Sequence, residues 1–171
     1  MTGLRTSSSA ATALAKACDA AFAANKQSCS HAVWHVIKSI HDPQQKYLQA
    51  NALIDWMTTA WSEVSLDDGF SAANLGAVVV GGKKEVSNGH VIVIYPGDKI
   101  LNGGYQVYSA TSKKYFMMPR KTLYPRSMST SLGAWPGALS CGDKTVWDPW
   151  GRDAAFKKEV RFWTPKWPLA R

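Results

Sequence analysis

The segment NKQSCSHAVWHVI, Asn25 to Ile37, sets one cysteine between two serines where a helical apolar spacing begins. Val33, Val36, Ile37 and Ile40 fall on one face, so a helix is expected from about Cys29 to Ile40, ended by Asp42-Pro43. Cys29 then stands at a helix N-terminus. Unpaired backbone N–H groups and the positive end of the helix dipole favour thiolate over thiol there and lower the pKa. The same N–H groups suit an oxyanion. The alternative is a small buried side chain, since core cysteines also occur near helix ends.

A cysteine nucleophile needs a base. His31, His35 and His41 lie on or just after the same helix and project along its flank. His90 differs: it follows Gly89 and opens an apolar strand, so its ring is expected at a sheet edge that a helix N-terminus can pack across. His31 and His35 at i, i+4 also make a zinc reading with Cys29. The glutamate of an HExxH motif is missing between them, where Ala32-Val33-Trp34 stands, and no CxxC occurs.

Outward from this segment the chain reads as helices followed by a sheet, an α+β order. Ser7–Ala24 is an Ala-rich helix with an N-cap among Ser7 to Ser9, and 44–61 is a third helix. Residues 75–82, 90–97 and 104–110 read as three sequential strands of an antiparallel meander covered on both faces. A hairpin of the last two, centred near residue 100, sets residue 110 opposite His90, give or take one. Ser109 or Thr111 is then the nearby polar partner for the imidazole, with Gln106 further along. From 115 to 171 the chain is rich in Pro, Gly and Trp, with five of the eight tryptophans and a further strand at 158–165. One domain over 1–171 is expected, with a flexible lead over 1–8 and the Trp-rich part inside the same domain.

Hydrophobic residues make up 46% and charged residues 19%, a globular balance. No apolar run approaches the ~20 residues that span a bilayer. The N-terminus lacks the apolar core of a secretory signal, although it is Ser-rich and acid-free like a transit peptide. The net charge of +8 comes from dispersed basic pairs: Lys83-Lys84, Lys113-Lys114, Arg120-Lys121 and Lys157-Lys158. It suits nucleic acid, an acidic membrane surface or an acidic wall polymer, or no specific partner. Cys18, Cys29 and Cys141 allow one disulfide and one thiol, or three thiols.

Asn25-Lys26-Gln27-Ser28-Cys29-Ser30, followed some sixty residues later by Gly89-His90 opening an apolar strand that ends in Gly97, resembles the type VI secretion amidase effectors. These belong to the NlpC/P60, papain-like cysteine peptidase superfamily. The resemblance covers roughly residues 18–112 and does not extend to the Trp-rich part. Papain's own Cys-Gly-Ser-Cys-Trp signature is absent. The resemblance implies a papain-like NlpC/P60 fold with N-terminal helices packed on an antiparallel sheet. It implies Cys29 as nucleophile, His90 as base and Ser109 as the third polar residue, with no cofactor or metal. The implied substrate is peptidoglycan, cut in the stem peptide at the D-Glu–diaminopimelate bond or, by preference, at the diaminopimelate–D-Ala cross-link. Such proteins lack a signal peptide, leave through the type VI machinery for the periplasm of a Gram-negative target cell, and travel with a cognate immunity protein; nucleic acid and membrane are not partners. The oxidising periplasm allows a Cys18–Cys141 disulfide. Two other readings stand beside this one: a papain-like deamidase or acyltransferase acting on a protein amide, and a basic module binding glycan or nucleic acid without catalysis.

Overall fold

A computed structural model describes residues 8–169. Helix α1 (Ser9–Ala24) is capped by Ser8, whose hydroxyl accepts from the Ala11 amide. Apart from Ser8, the expected flexible lead lies outside the described residues. Ala11, Leu14, Ala17, Cys18 and Ala21 recur at three- and four-residue steps and form its buried face. Helix α2 (Cys29–Ile40) begins and ends where the sequence places it.

Helix α3 (Ala50–Ala60) starts later than expected. Residues 44–49 instead run along α2, where the Gln45 carbonyl accepts from the Trp34 indole at 2.7 Å and the Tyr47 hydroxyl meets Ser30 Oγ at 2.7 Å. These contacts outweigh local helix propensity. After the short strand β1 (Ser62–Val64) comes helix α4 (Leu66–Asn74), which the sequence reading missed. Its signals were present: Ser65 caps the Asp68 amide, and Asp67 and Asp68 occupy the first turn.

The sheet is wholly antiparallel in the order β1-β8-β2-β3-β6-β7, with β2 Val80–Lys83, β3 His90–Leu101, β6 Leu123–Ser129, β7 Ser140–Thr145 and β8 Arg161–Thr164. Val91, Ile92, Val93 and Ile94 of β3 are all fully buried, so both faces are covered as expected. On one face Gly82 leaves room for Ile54 of α3; on the other Gly81 leaves room for the Phe162 ring. The strand expected at 158–165 is shorter, because Lys158 and Glu159 end helix α5 (Asp153–Glu159). The Trp-rich part supplies β6, β7 and β8, and Trp147 and Trp163 join the buried core.

Of the expected meander the first pair forms, β2 against β3 in register Val80↔Val93, and the second does not. β3 does not stop at Gly97. It passes through a bulge, where Gly97 takes φ +135, and continues to Leu101. Its partner is β6, in register Val93↔Met128 and Tyr95↔Arg126, then Ile100↔Tyr124 beyond the bulge. Residues 102–122 leave the sheet as an excursion carrying a separate hairpin, β4 (Gln106–Ser109) and β5 (Lys114–Met117). The excursion is pinched at its root. The buried Asn102 carboxamide accepts from the Lys121 and Thr122 amides at 3.0 and 2.9 Å, and Gly104 and Met118 bond across it.

Asn102→Ala leaves two backbone donors without their acceptor and is expected to cost about 2 kcal/mol of stability in urea denaturation, with Asn102→Asp recovering part of it. Equal midpoints for wild type and Asn102→Ala would show that the pinch is not stabilising.

Candidate active site

Asn25 closes α1 with its side chain on the Ala21 carbonyl, and the Ser28 amide returns to the Asn25 carbonyl. This tight link turns the chain into α2 with Ser28 as N-cap, its hydroxyl accepting from the His31 amide. Cys29 is therefore the first residue of the helix. Its thiol lies near the backbone N–H groups of Cys29, Ser30 and Val91, whose dipoles favour the charged form. The Val91 contact is the decisive one for assembly, because Val91 is the neighbour of His90 on β3.

The His90 ring is held by two successive hydrogen bonds. Nε2 lies 2.9 Å from Ser129 Oγ on β6, and that hydroxyl donates to the Ala138 carbonyl at 2.7 Å. Ser129 has one proton, given to Ala138, so it accepts from Nε2–H. This selects the tautomer in which Nδ1 is unprotonated and available as a base. Trp150 presents its ring edge-to-face at 5.5 Å from the imidazole. Cys29, His90, Ser28, Tyr47, Trp135 and Trp150 all line one pocket of about 490 Å³.

Ser109 is not the third residue. It ends β4 in the separate hairpin, opposite Lys114, and its hydroxyl accepts from the Ser112 amide at 3.3 Å. Thr111 sits in the turn of that hairpin and Gln106 on its exposed side. The neighbour of β3 is β6, which brings Ser129 to His90 from 39 residues away. The available signal was Ser127-Met128-Ser129, which sets two hydroxyls on one face at the buried end of a strand.

The other histidines stay outside the pocket. His31 bonds Ser28 Oγ through Nδ1 at 2.7 Å and stacks on Tyr47, while His35 lines a shallow depression with Lys38 on the flank of α2. Cys18 and Cys141 are free thiols in a cluster with Asp19. Cys141 donates to Asp19 Oδ1 at 3.2 Å, and the disulfide that the resemblance allowed is not formed.

Sequence reading also missed Asp148. Its carboxylate is buried and accepts four bonds, from the Gly103 amide, the Tyr105 hydroxyl, and the amide and hydroxyl of Thr145. Its backbone carbonyl takes the Trp135 indole N–H at 2.8 Å. One side chain thus ties the root of the excursion to the turn bearing Pro149 and Trp150, which form a wall of the pocket.

The electrostatics depart from the expected thiolate. Burial pushes the Cys29 thiol above its ordinary range, and the N–H groups of Val91, Ser30 and Cys29 oppose this without reversing it. His90 is half-buried as a residue, yet its imidazole is desolvated enough to be pushed down to about 4. Both shifts favour uncharged groups, so the pocket at rest holds a thiol and a neutral imidazole. No protein-family model matches the sequence, and no curated protein matches it.

In NMR, the His90 ring should titrate near 4 and show nitrogen shifts of the Nε2–H tautomer at neutral pH, and Ser129→Ala should give a tautomer mixture. A midpoint near the ordinary 6.5, or an unchanged tautomer in the variant, would contradict this account of the ring.

Proposed function

We propose that this chain is a cysteine-dependent amidase of peptidoglycan with a papain-like, NlpC/P60-type fold. The observation that carries the reading is the His90–Ser129–Ala138 relay, which leaves Nδ1 as a base in the pocket that also holds Cys29 at a helix N-terminus. A buried cysteine of purely structural use needs neither an oriented imidazole nor an open pocket.

The chemistry follows from these groups. Substrate enters the pocket and expels water. Cys29 Sγ attacks the amide carbonyl carbon as His90 Nδ1 takes the thiol proton. Because the resting pair is neutral, this transfer accompanies the attack. The carbonyl oxygen becomes an oxyanion, met by backbone N–H groups at the start of α2. His90 then protonates the leaving nitrogen, the C–N bond breaks, and a thioester remains. Water, deprotonated by His90, attacks the thioester; a carboxylate leaves and the thiol is restored. Ser129 keeps Nε2–H in place through all steps and is a positioning residue.

The +8 net charge suits a wall polymer that carries free carboxylates. The same reading makes the protein a type VI effector acting in the periplasm of a Gram-negative target, restrained in its producer by an immunity protein that plugs the pocket. Among the described residues no helix is long and apolar enough to cross a membrane. The diaminopimelate–D-Ala cross-link remains the preferred bond.

Digestion of purified Gram-negative sacculi with wild type and Cys29→Ala, read by mass spectrometry of the muropeptides, tests the reading. Loss of cross-linked dimers with wild type alone identifies cross-link cleavage, and trimmed stems identify the D-Glu–diaminopimelate bond. Unchanged muropeptides from folded wild type overturn it and turn attention to a protein amide or to a non-catalytic module. Ser129→Ala should lower kcat by about tenfold or more, about 1.4 kcal/mol of barrier. The pH profile has a definite sign. Catalysis needs neutral His90, so kcat/KM should fall only as pH drops toward about 4. The alkaline limb should lie above the ordinary thiol range; an acid limb at the ordinary histidine value would refute the burial argument.

A further inference from the structure

The hairpin β4–β5 stands off the main sheet and has two unlike faces. Val107 is buried and turns inward, while on the same face Phe116 opposite it stays 44% exposed and Lys114 stands at the strand's exposed tip. Strand alternation then places Gln106, Tyr108, Tyr115 and Met117 on the outward face. Tyr108 is 53% exposed and Tyr115 69%, and their rings form a cross-strand pair with centroids 5.2 Å apart, tilted at 59°. Two exposed tyrosines in one pair make an aromatic ridge that fills no core.

The charge around this ridge is one-sided. From Lys99 through Gly142 the sequence carries six Lys or Arg residues and no Asp or Glu. Lys113 and Lys114 form the end of the hairpin, are exposed, and make no ion pair among the described residues. By contrast Lys83 is paired with Glu85 and Glu159, Lys84 with Asp55, and Lys157 with Asp153.

The root of the hairpin is tied to the pocket wall. Tyr105, at the hairpin root, packs edge-on against Trp135 at 6.4 Å, and Trp135 lines the pocket. Asp148 holds both ends of this contact, accepting the Tyr105 hydroxyl on its carboxylate and the Trp135 indole on its carbonyl. The hairpin is therefore fixed relative to the pocket wall.

We propose that the Tyr108–Tyr115 ridge with Lys113 and Lys114 is an accessory binding site for the anionic glycan–peptide polymer of the cell wall, anchoring the protein beside the bond it cuts. This rests on the peptidoglycan reading. Flat apolar faces of sugar rings stack on aromatic rings whose hydroxyl tips stay in water, and the lysines meet the carboxylates of neighbouring stem peptides. A lipid surface fits less well, because the tip, Ser112-Lys113-Lys114, is polar and cannot enter hydrocarbon.

The test uses the full chain in the Cys29→Ala background, so that binding is read without cleavage. Co-sedimentation with purified sacculi is compared for this parent, for Tyr108→Ala/Tyr115→Ala and for Lys113→Glu/Lys114→Glu, with thermal melts confirming that each is folded. Each double variant should bind at least about fivefold more weakly, and the parent should lose affinity as salt rises. Both variants sedimenting like the parent would overturn the site. So would variants that lose binding to phosphatidylglycerol vesicles while holding sacculi normally. Hydrolysis of soluble cross-linked muropeptides by wild type reports on the amidase separately. No hydrolysis together with ridge-dependent sacculus binding removes the activity and supports the anchor. Normal hydrolysis with ridge-independent binding removes the anchor alone.

Discussion

The pairing of β3 with β6 is the constraint on which the site depends. Val91 to Ile94 are buried on both faces of β3, and its buried backbone amides and carbonyls must be paired, so the strand has a neighbour on each side. One neighbour is β2. The other is β6, and its register sets Ser129 beside His90. A slip of one residue would turn the serine hydroxyl to the opposite face. The orientation of one imidazole is thus secured by the hydrogen-bond ladder of the sheet, whose energy is spread over many residues.

The site is assembled at the rim of that ladder. The amide of Val91 lies near the sulfur of Cys29, and α2 packs against β3. The N–H dipoles of the helix end and of the strand both act on the thiol. Bringing the thiol into this packed corner also takes it out of water. Desolvation then dominates the local dipoles, which leaves both Cys29 and His90 uncharged at rest. In the proposed reaction such a pair would keep its proton on sulfur until a carbonyl is in place, with the oriented Nδ1 positioned to receive it.

Asp148 joins two regions that the chain order keeps apart. Its four donors come from the excursion root and from Thr145, and its carbonyl holds Trp135. A buried carboxylate without a cationic partner persists only when its lone pairs are satisfied in this way. The turn that carries Trp150 over His90 and the hairpin with its exposed tyrosines are therefore parts of one rigid wall. The Trp-rich part of the chain, which offered no motif, supplies the sides of the pocket.

Local chemistry was legible in the sequence where it depends on neighbours along the chain. The α2 boundaries, Cys29 at its N-terminus, His90 opening a strand, and the two-sided burial of 90–94 follow from spacing and caps, which act within a few residues. The capping signal of α4 at Ser65 was equally local and was overlooked. What only the tertiary structure decided is who stands next to whom. Gly97 reads as the end of a strand, but the bulge carries β3 onward, and Asn102 pinches off the segment that the sequence offers as its partner. Strand choice is a competition between distant segments for the same row of amides, so Ser109 lost its place to Ser129. The charge state of Cys29 was likewise undecided by its position on a helix, because the cost of desolvation depends on what packs around it.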